Sequence, residues 1–268
     1  MKDPQPEEIR ELVRKRYGEI AQSGQSGCGC APSGCCSGPA PAPPGISSLQ
    51  MGYSQEELQA VPFGADLGLG CGNPQAIAAL QPGETVLDLG SGAGFDCFLA
   101  ARQVGQTGQV IGVDMTAEMV AKARENASGA GFGNVEFRLG EIEHLPVADA
   151  SVDVIMSNCV INLSPSKPQV FREAFRVLRP GGRLAISDIV AMATMPEEMR
   201  NDLALYAGCI AGAATKAELE AMLREAGFDQ IRIQPKDESR RLIRDWAPGR
   251  KIEDYIASAS LEAKKPRL

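Results

Sequence analysis

Val86-Leu87-Asp88-Leu89-Gly90-Ser91-Gly92-Ala93-Gly94 decides the fold. A short apolar run enters a turn rich in glycine, and residues 95–104 resume with helical spacing, so the segment reads as strand, tight turn and helix. Glycines in such a turn let a ligand come close to the backbone. Working outward, the same alternation continues. Strands are expected at Thr85–Leu89, Val110–Asp114, Val135–Leu139, Val152–Ser157 and Arg183–Ser187, with helices near 95–104, 117–129 and 167–178. Short β-branched runs alternating with helices give an α/β fold, a Rossmann-like parallel sheet covered on both faces.

Further out, Pro196 opens a helix with Glu197 and Glu198 in its first turn, and Thr215 with Glu218 forms a capping box for another that Gly227 can end. Phe228–Ile233 and Tyr255–Ala263 fit the last strands of the same sheet. Upstream, residues 6–21 place Ile9, Leu12, Val13 and Tyr17 on one helical stripe. Residues 22–46 consist mainly of Gly, Ser, Pro, Ala and Cys, a composition that cannot bury enough apolar surface to offset chain entropy. Three regions follow: 1–46, an N-terminal helix and flexible cysteine-rich linker; 47–192, a cofactor-binding domain; and 193–268, a smaller C-terminal region that contributes to the acceptor site and the last strands.

Composition narrows the function. A net charge of −7 argues against a nucleic-acid partner, whose phosphates call for clustered Lys and Arg. No apolar run approaches membrane-spanning length and the N-terminus does not read as a signal peptide, so no membrane association and a cytoplasmic location are expected. In that compartment the 8 cysteines read as thiols for metal, metalloid or redox chemistry, not as a disulfide framework.

Acids at successive strand ends define the cofactor. Asp88 beside the Gly90, Ser91, Gly92, Gly94 turn would repel a pyrophosphate, which disfavours a dinucleotide, and would attract the ammonium group of S-adenosylmethionine. Asp114 ends the second strand, where such folds bind ribose hydroxyls. Glu141 follows the third strand and is placed to accept from an adenine amino group, with Ile142 and Met115 packing on the ring. Asn158, just past the fourth strand, completes the set.

The acceptor must be argued from what lies at the same sheet edge. Cys159 follows the fourth strand in Ser157-Asn158-Cys159-Val160-Ile161-Asn162-Leu163, Cys209 is expected in the helix after the fifth, and Cys71 sits in a Gly70-Cys71-Gly72 turn ahead of the sheet, with neighbouring glycines that clear space. Singly, each is an ordinary small buried residue. Together they suit a soft ion. Cys97, in the helix after the glycine turn, reads as packing. His144, the sole histidine, reads as a surface residue, which leaves little for proton transfer.

The block Ser157–Leu163, the Gly70-Cys71-Gly72 turn, the Gly208-Cys209 pair and Asp114-Met115-Thr116 together resemble the arsenite methyltransferase family of class I methyltransferases, from the Tyr17-Gly18 region to about residue 230. The resemblance implies that Cys71, Cys159 and Cys209 bind trivalent arsenic as thiolates and leave its lone pair free to attack the cofactor methyl. It also implies that an N-terminal cysteine pairs with Cys71 to return electrons to arsenic, after which thioredoxin or glutathione restores both thiols. Among Cys28, Cys30, Cys35 and Cys36, the adjacent Cys35 and Cys36 are favoured. The expected substrate is arsenite and the expected state a monomer. Longer members of that family carry a further C-terminal region, and no role is carried over from it. Two other readings compete: methylation of an organic acceptor, and thiol-based metalloid binding without catalysis.

Overall fold

A computed structural model describes residues 5–23 and 46–267. Cys28, Cys30, Cys35 and Cys36 lie outside the described residues. One seven-stranded sheet organises the rest: β1 (Thr85–Leu89), β2 (Gln109–Asp114), β3 (Val135–Leu139), β4 (Val152–Asn158), β5 (Leu178–Ala191), β6 (Asp229–Lys236) and β7 (Ile256–Lys264), in the order β3-β2-β1-β4-β5-β7-β6. The first five strands pair in parallel, and β7 runs antiparallel to both β5 and β6. The two late apolar stretches therefore close the same sheet.

The longer helices are α1 (Pro6–Ser23), α2 (Phe95–Val104), α3 (Ala117–Ala130), α4 (Lys167–Val177) and α5 (Lys216–Ala226). Strand alternation sorts the core into two layers. Leu87, Leu89, Ile111, Val113 and Ile155 pack beneath Phe171 and Leu223 of α4 and α5. Val86, Val110, Val154 and Met156 pack on the other side against Phe98 of α2 and Val120 of α3. Each fully buried large side chain contributes about 1.5–3 kcal/mol of hydrophobic stabilisation.

Local signals hold where the chemistry is explicit. Thr215 caps α5, its side chain accepting from Glu218 N while the Glu218 carboxylate accepts from Thr215 N, and Gly227 closes the helix at φ +103°. β5 is longer than its apolar stretch because it begins at Leu178 and runs through Pro180-Gly181-Gly182, with an irregularity in its register against β4. The helix opened by Pro196 lasts only from Glu197 to Arg200, and a second short one follows at Leu203–Ala207.

α1 folds back over the sheet edge. It buries Ile9, Val13, Gly18 and Ala21, packing against α3 and the Leu203–Ala207 helix. At Gly18 a Cβ would come within 3.3 Å of the Glu118 carboxylate on α3, so glycine permits the close crossing. Arg10 and Arg14 then pair with Glu141 at 3.5 and 3.3 Å.

Candidate active site

A cleft of about 1100 Å³, open to solvent, lies at the carboxyl ends of the strands where their order reverses between β1 and β4. Ligands of open α/β sheets bind at such a switch point. Its floor is the glycine turn. Gly90 N and Ser91 N donate to Val113 O at 2.8 and 3.0 Å, and Gly92 N donates to Asp114 Oδ2 at 2.9 Å. Asp114 Oδ1 also accepts from Thr116 N at 2.8 Å, so this acid braces the turn as well as facing the cleft. Gly90 has φ +69°, and a Cβ there would lie 2.4 Å from Val160 Cγ2. Gly94, at φ +96°, plays a different part: a Cβ would strike Phe98 and Phe137, so its role is packing beneath the turn.

The cleft is acidic in its depth. Asp88 is 3% exposed and accepts from Cys97 Sγ at 3.2 Å; burial, and then the charge of Asp96, push its pKa well up. Asp96 accepts from Tyr53 Oη at 2.8 Å and from Asn158 Nδ2 at 3.3 Å, and burial raises it to about 6. Two neighbouring buried carboxyls favour a cationic ligand, which would relieve both. Ser91 Oγ is buried with no hydrogen-bond partner, a further polar atom available to a ligand. Met115 and Ile142 give apolar walls. An amphipathic cation with ribose hydroxyls and a flat ring fits these residues. Asp114→Ala should weaken S-adenosylmethionine binding at least ~30-fold, because it removes both a hydroxyl acceptor and the brace on Gly92; calorimetric titration that finds unchanged affinity would refute the ribose role.

Glu141 is turned towards Arg10 and Arg14 of α1, whereas Ile142 and Glu143 line the cleft, with Glu143 accepting from Ser164 Oγ at 2.6 Å. α1 itself supplies Arg10, Val13 and Tyr17 to the wall. The helical stripe in the sequence marked Val13 and Tyr17 as packing residues without indicating what they cover. Tyr53 and Asp96 were missed; an acid in the first turn after the glycine motif is a signal that could have found Asp96.

Beside the cleft the three thiols converge in one buried cluster with Leu163, Ile189 and Met195. Cys159 leaves β4 at φ +61°, its N–H donating to Ser187 O at 2.8 Å. Contrary to the sequence expectation, Cys209 is not in a helix. The Leu203–Ala207 helix is capped at Gly208, and Cys209 follows at φ +63°, its thiol donating to Cys159 O at 2.7 Å. A reversal there turns the side chain inward, which a continuing helix would not do. Cys71 Sγ donates to Ser187 O at 3.6 Å, and the flanking glycines serve the protein's own packing: Cβ atoms at Gly70 and Gly72 would press on Asn158 and Ser187.

Asn158 joins the two halves of the site. Its Oδ1 accepts from Cys71 N at 3.0 Å, and its Nδ2 donates to Gly72 O at 2.8 Å and to Tyr53 Oη at 3.0 Å as well as to Asp96. Cys97 is fully buried beside Asp88, and His144 is exposed.

Burial raises Cys71 to about 11; Cys209 is raised well above its usual value by its hydrogen bond to Cys159 and by burial. At Cys159 the contact with Cys209 acts downward, but the bond to Cys71 and burial outweigh it. A raised thiol pKa keeps the proton on at neutral pH. At pH 8 a thiol near 11 is ionised to about one part in a thousand, against roughly a quarter for an unperturbed cysteine. Alkylation of Cys71 in the native protein at pH 8 should run at least ~100-fold slower than for a short cysteine peptide; peptide-like rates by mass spectrometry would mean the cluster is open.

Comparison with known proteins places this geometry. Residues 80–227 match a family described as "Methyltransferase domain". The arsenite methyltransferase of Halobacterium salinarum is 56% identical, over 98% of this chain and 68% of its own length. The arsenite methyltransferase of Aquipseudomonas alcaligenes is 41% identical, over 84% of this chain and 63% of its own. The chain thus spans about two thirds of the length of these relatives. The crystal structure of CrArsM, an arsenic (III) S-adenosylmethionine methyltransferase from Chlamydomonas reinhardtii, is similar with a TM-score of 0.61 and 32% identity, over 85% of this chain and 75% of that one. A sheet with class I methyltransferase order, an acidic cleft at its switch point and 56% identity to one of these enzymes over 98% of this chain agree, and the chain belongs to the arsenite methyltransferase family.

Proposed function

We propose that the protein methylates trivalent arsenic held by Cys71, Cys159 and Cys209, with S-adenosylmethionine as donor. The observation that carries this reading is the convergence of three buried thiols from three separate segments at the edge of an acidic cofactor cleft. Residues 47–192 build the cofactor site, and 193–268 supply Cys209 and the closing strands.

S-Adenosylmethionine, when bound, supplies an electrophilic methyl group on a sulfonium. Asp88 and Asp96 would hold its ammonium end, Asp114 its ribose, and Met115 and Ile142 would flank the ring. Arsenite exchanges its three hydroxyls for the three thiols: three As–O and three S–H bonds break, three As–S bonds form, and each thiol proton leaves with hydroxide as water. No net proton is released, so thiols that keep their protons at neutral pH are suited to the exchange. Bound in this cleft, the donor would supply its methyl to arsenic's lone pair, an As–C bond replacing the carbon–sulfonium bond and the donor leaving as a neutral thioether. The chain contributes orientation and exclusion of water, and no general base is needed.

That attack takes arsenic formally to the pentavalent state, and two electrons must return. Two thiols that form a disulfide release two electrons and two protons. The relay assigned to Cys35 or Cys36 with Cys71 rests on family resemblance, and thioredoxin or glutathione is the external reductant. None of the described helices is long and apolar enough to cross a membrane; a cytoplasmic monomer is the working state. The test is product analysis, by chromatography with elemental mass detection, of the reduced protein incubated with arsenite and S-adenosylmethionine. Methylated arsenic is expected, and its absence while both ligands bind would defeat the acceptor assignment.

A further inference from the structure

Asn158 has more acceptors within reach than hydrogens to give. Its amide carries two N–H groups, yet Nδ2 lies 2.8 Å from Gly72 O, 3.0 Å from Tyr53 Oη and 3.3 Å from Asp96 Oδ2. Tyr53 gives its own hydroxyl hydrogen to Asp96 Oδ1 at 2.8 Å, so its oxygen is left to accept. Tyr53 and Asp96 are 4% and 7% exposed, and bulk water does little to make up the shortfall. One of the three acceptors is therefore always short of a partner, and the longest contact, to Asp96, is the weakest.

The same amide holds the thiol side. Its Oδ1 accepts from Cys71 N at 3.0 Å while Nδ2 donates to Gly72 O, so one side chain clasps the Cys71-Gly72 backbone at two points. The preceding Gly70 lies against it, where a Cβ would come within 2.7 Å of Nδ2. Asn158 also precedes Cys159 in the chain, so its orientation bears on two of the three thiols. A cation with hydrogens of its own changes the count. An ammonium group beside Asp96 brings up to three N–H donors, satisfies Oδ2, and leaves both Asn158 hydrogens to Gly72 O and Tyr53 Oη. The clasp on Cys71 tightens as the acid is satisfied. Two ligands that favour the same arrangement of a shared element bind cooperatively, each raising the affinity of the other by one factor.

We propose that Asn158 is a positioning residue that couples the two halves of the site: a ligand ammonium at Asp96 tightens the binding of arsenic by Cys71 and Cys159, and arsenic tightens the binding of that ligand equally. The inference rests on the arsenite reading. The test titrates arsenite, by calorimetry, into the reduced full chain alone, saturated with S-adenosylhomocysteine, and saturated with methylthioadenosine. S-Adenosylhomocysteine carries the ammonium but no transferable methyl; methylthioadenosine keeps the adenine, ribose and sulfur without the amino-acid end. Arsenite affinity should rise at least ~5-fold with S-adenosylhomocysteine and less than ~2-fold with methylthioadenosine. Equal enhancement by both, or none by S-adenosylhomocysteine, overturns the proposal. In Asn158→Ala the enhancement should fall below ~2-fold. A merely structural role would lower the affinity for both ligands and leave the enhancement at its wild-type value, which also overturns it. Should that variant not fold, the contrast between the two nucleosides in the wild type decides. Failure of the wild type to bind arsenite at all would remove the functional reading, and this inference with it.

Discussion

A Cys159→Ser, Cys209→Ser variant should form methylated arsenic at less than about one thousandth of the wild-type rate while still binding S-adenosylmethionine within ~3-fold. The rate estimate follows from effective molarity: holding the two reactants together is worth at least this much, and one remaining thiol cannot fix arsenic's orientation. Cofactor affinity should persist because Asp88 and Asp114 lie on β1 and β2, outside the thiol loops. Serine at 209 can still donate to Cys159 O, the contact the thiol makes at 2.7 Å, so the fold should lose no more than about 1–3 kcal/mol for two buried hydroxyls. Arsenic methylation that survives the double change would mean that Cys159 and Cys209 do not hold the acceptor. Calorimetry with each ligand separates that outcome from loss of cofactor.

Gly90→Ala should be as damaging from the other side. The new methyl would stand 2.4 and 2.6 Å from the two Val160 methyl carbons, at a backbone φ of +69° that costs alanine about 1 kcal/mol. Overpacking adds about 1–3 kcal/mol. The expected result is about 2–4 kcal/mol of lost stability in denaturant titrations and at least ~100-fold weaker cofactor binding, since relief comes only by moving the turn. Gly90→Ala with Val160→Ala should recover the overpacking part and leave the φ penalty. If the second change recovers nothing, the contact between the cofactor turn and the loop carrying Cys159 is not what makes glycine necessary.

The sequence was most legible where one local rule governs. The β-branched runs and glycine turn located β1 to β4 to within a residue or so, because alternation and turn chemistry act over a few positions. The start of β5 was hidden because Pro180-Gly181-Gly182 looks like a break: Leu178 pairs with Val152 of β4, and pairing resumes only at Arg183, against Val154 of β4 and Lys264 of β7. In the site, the thiols and strand-end acids were visible as residue types. What was not visible was long-range. Glu141 is drawn away by two arginines on α1, more than a hundred residues earlier, and Glu143 lines the cleft. Cys209 sits past a helix end because Gly208 stops the helix, a boundary that apolar spacing does not mark. Asp188 in the run Ser187-Asp188-Ile189 gave no sign of lying beside Cys71 and Cys159, since those contacts span 117 and 29 positions.

α1 makes the cleft sensitive to ionic strength. Arg10, Val13 and Tyr17 form part of one wall of the cleft, so the shape of that wall depends on how firmly this helix is held. Its partly exposed ion pairs to Glu141 are each worth about 0–1 kcal/mol and weaken with salt. Raising the salt concentration should therefore loosen α1 and, with it, one wall of the cleft.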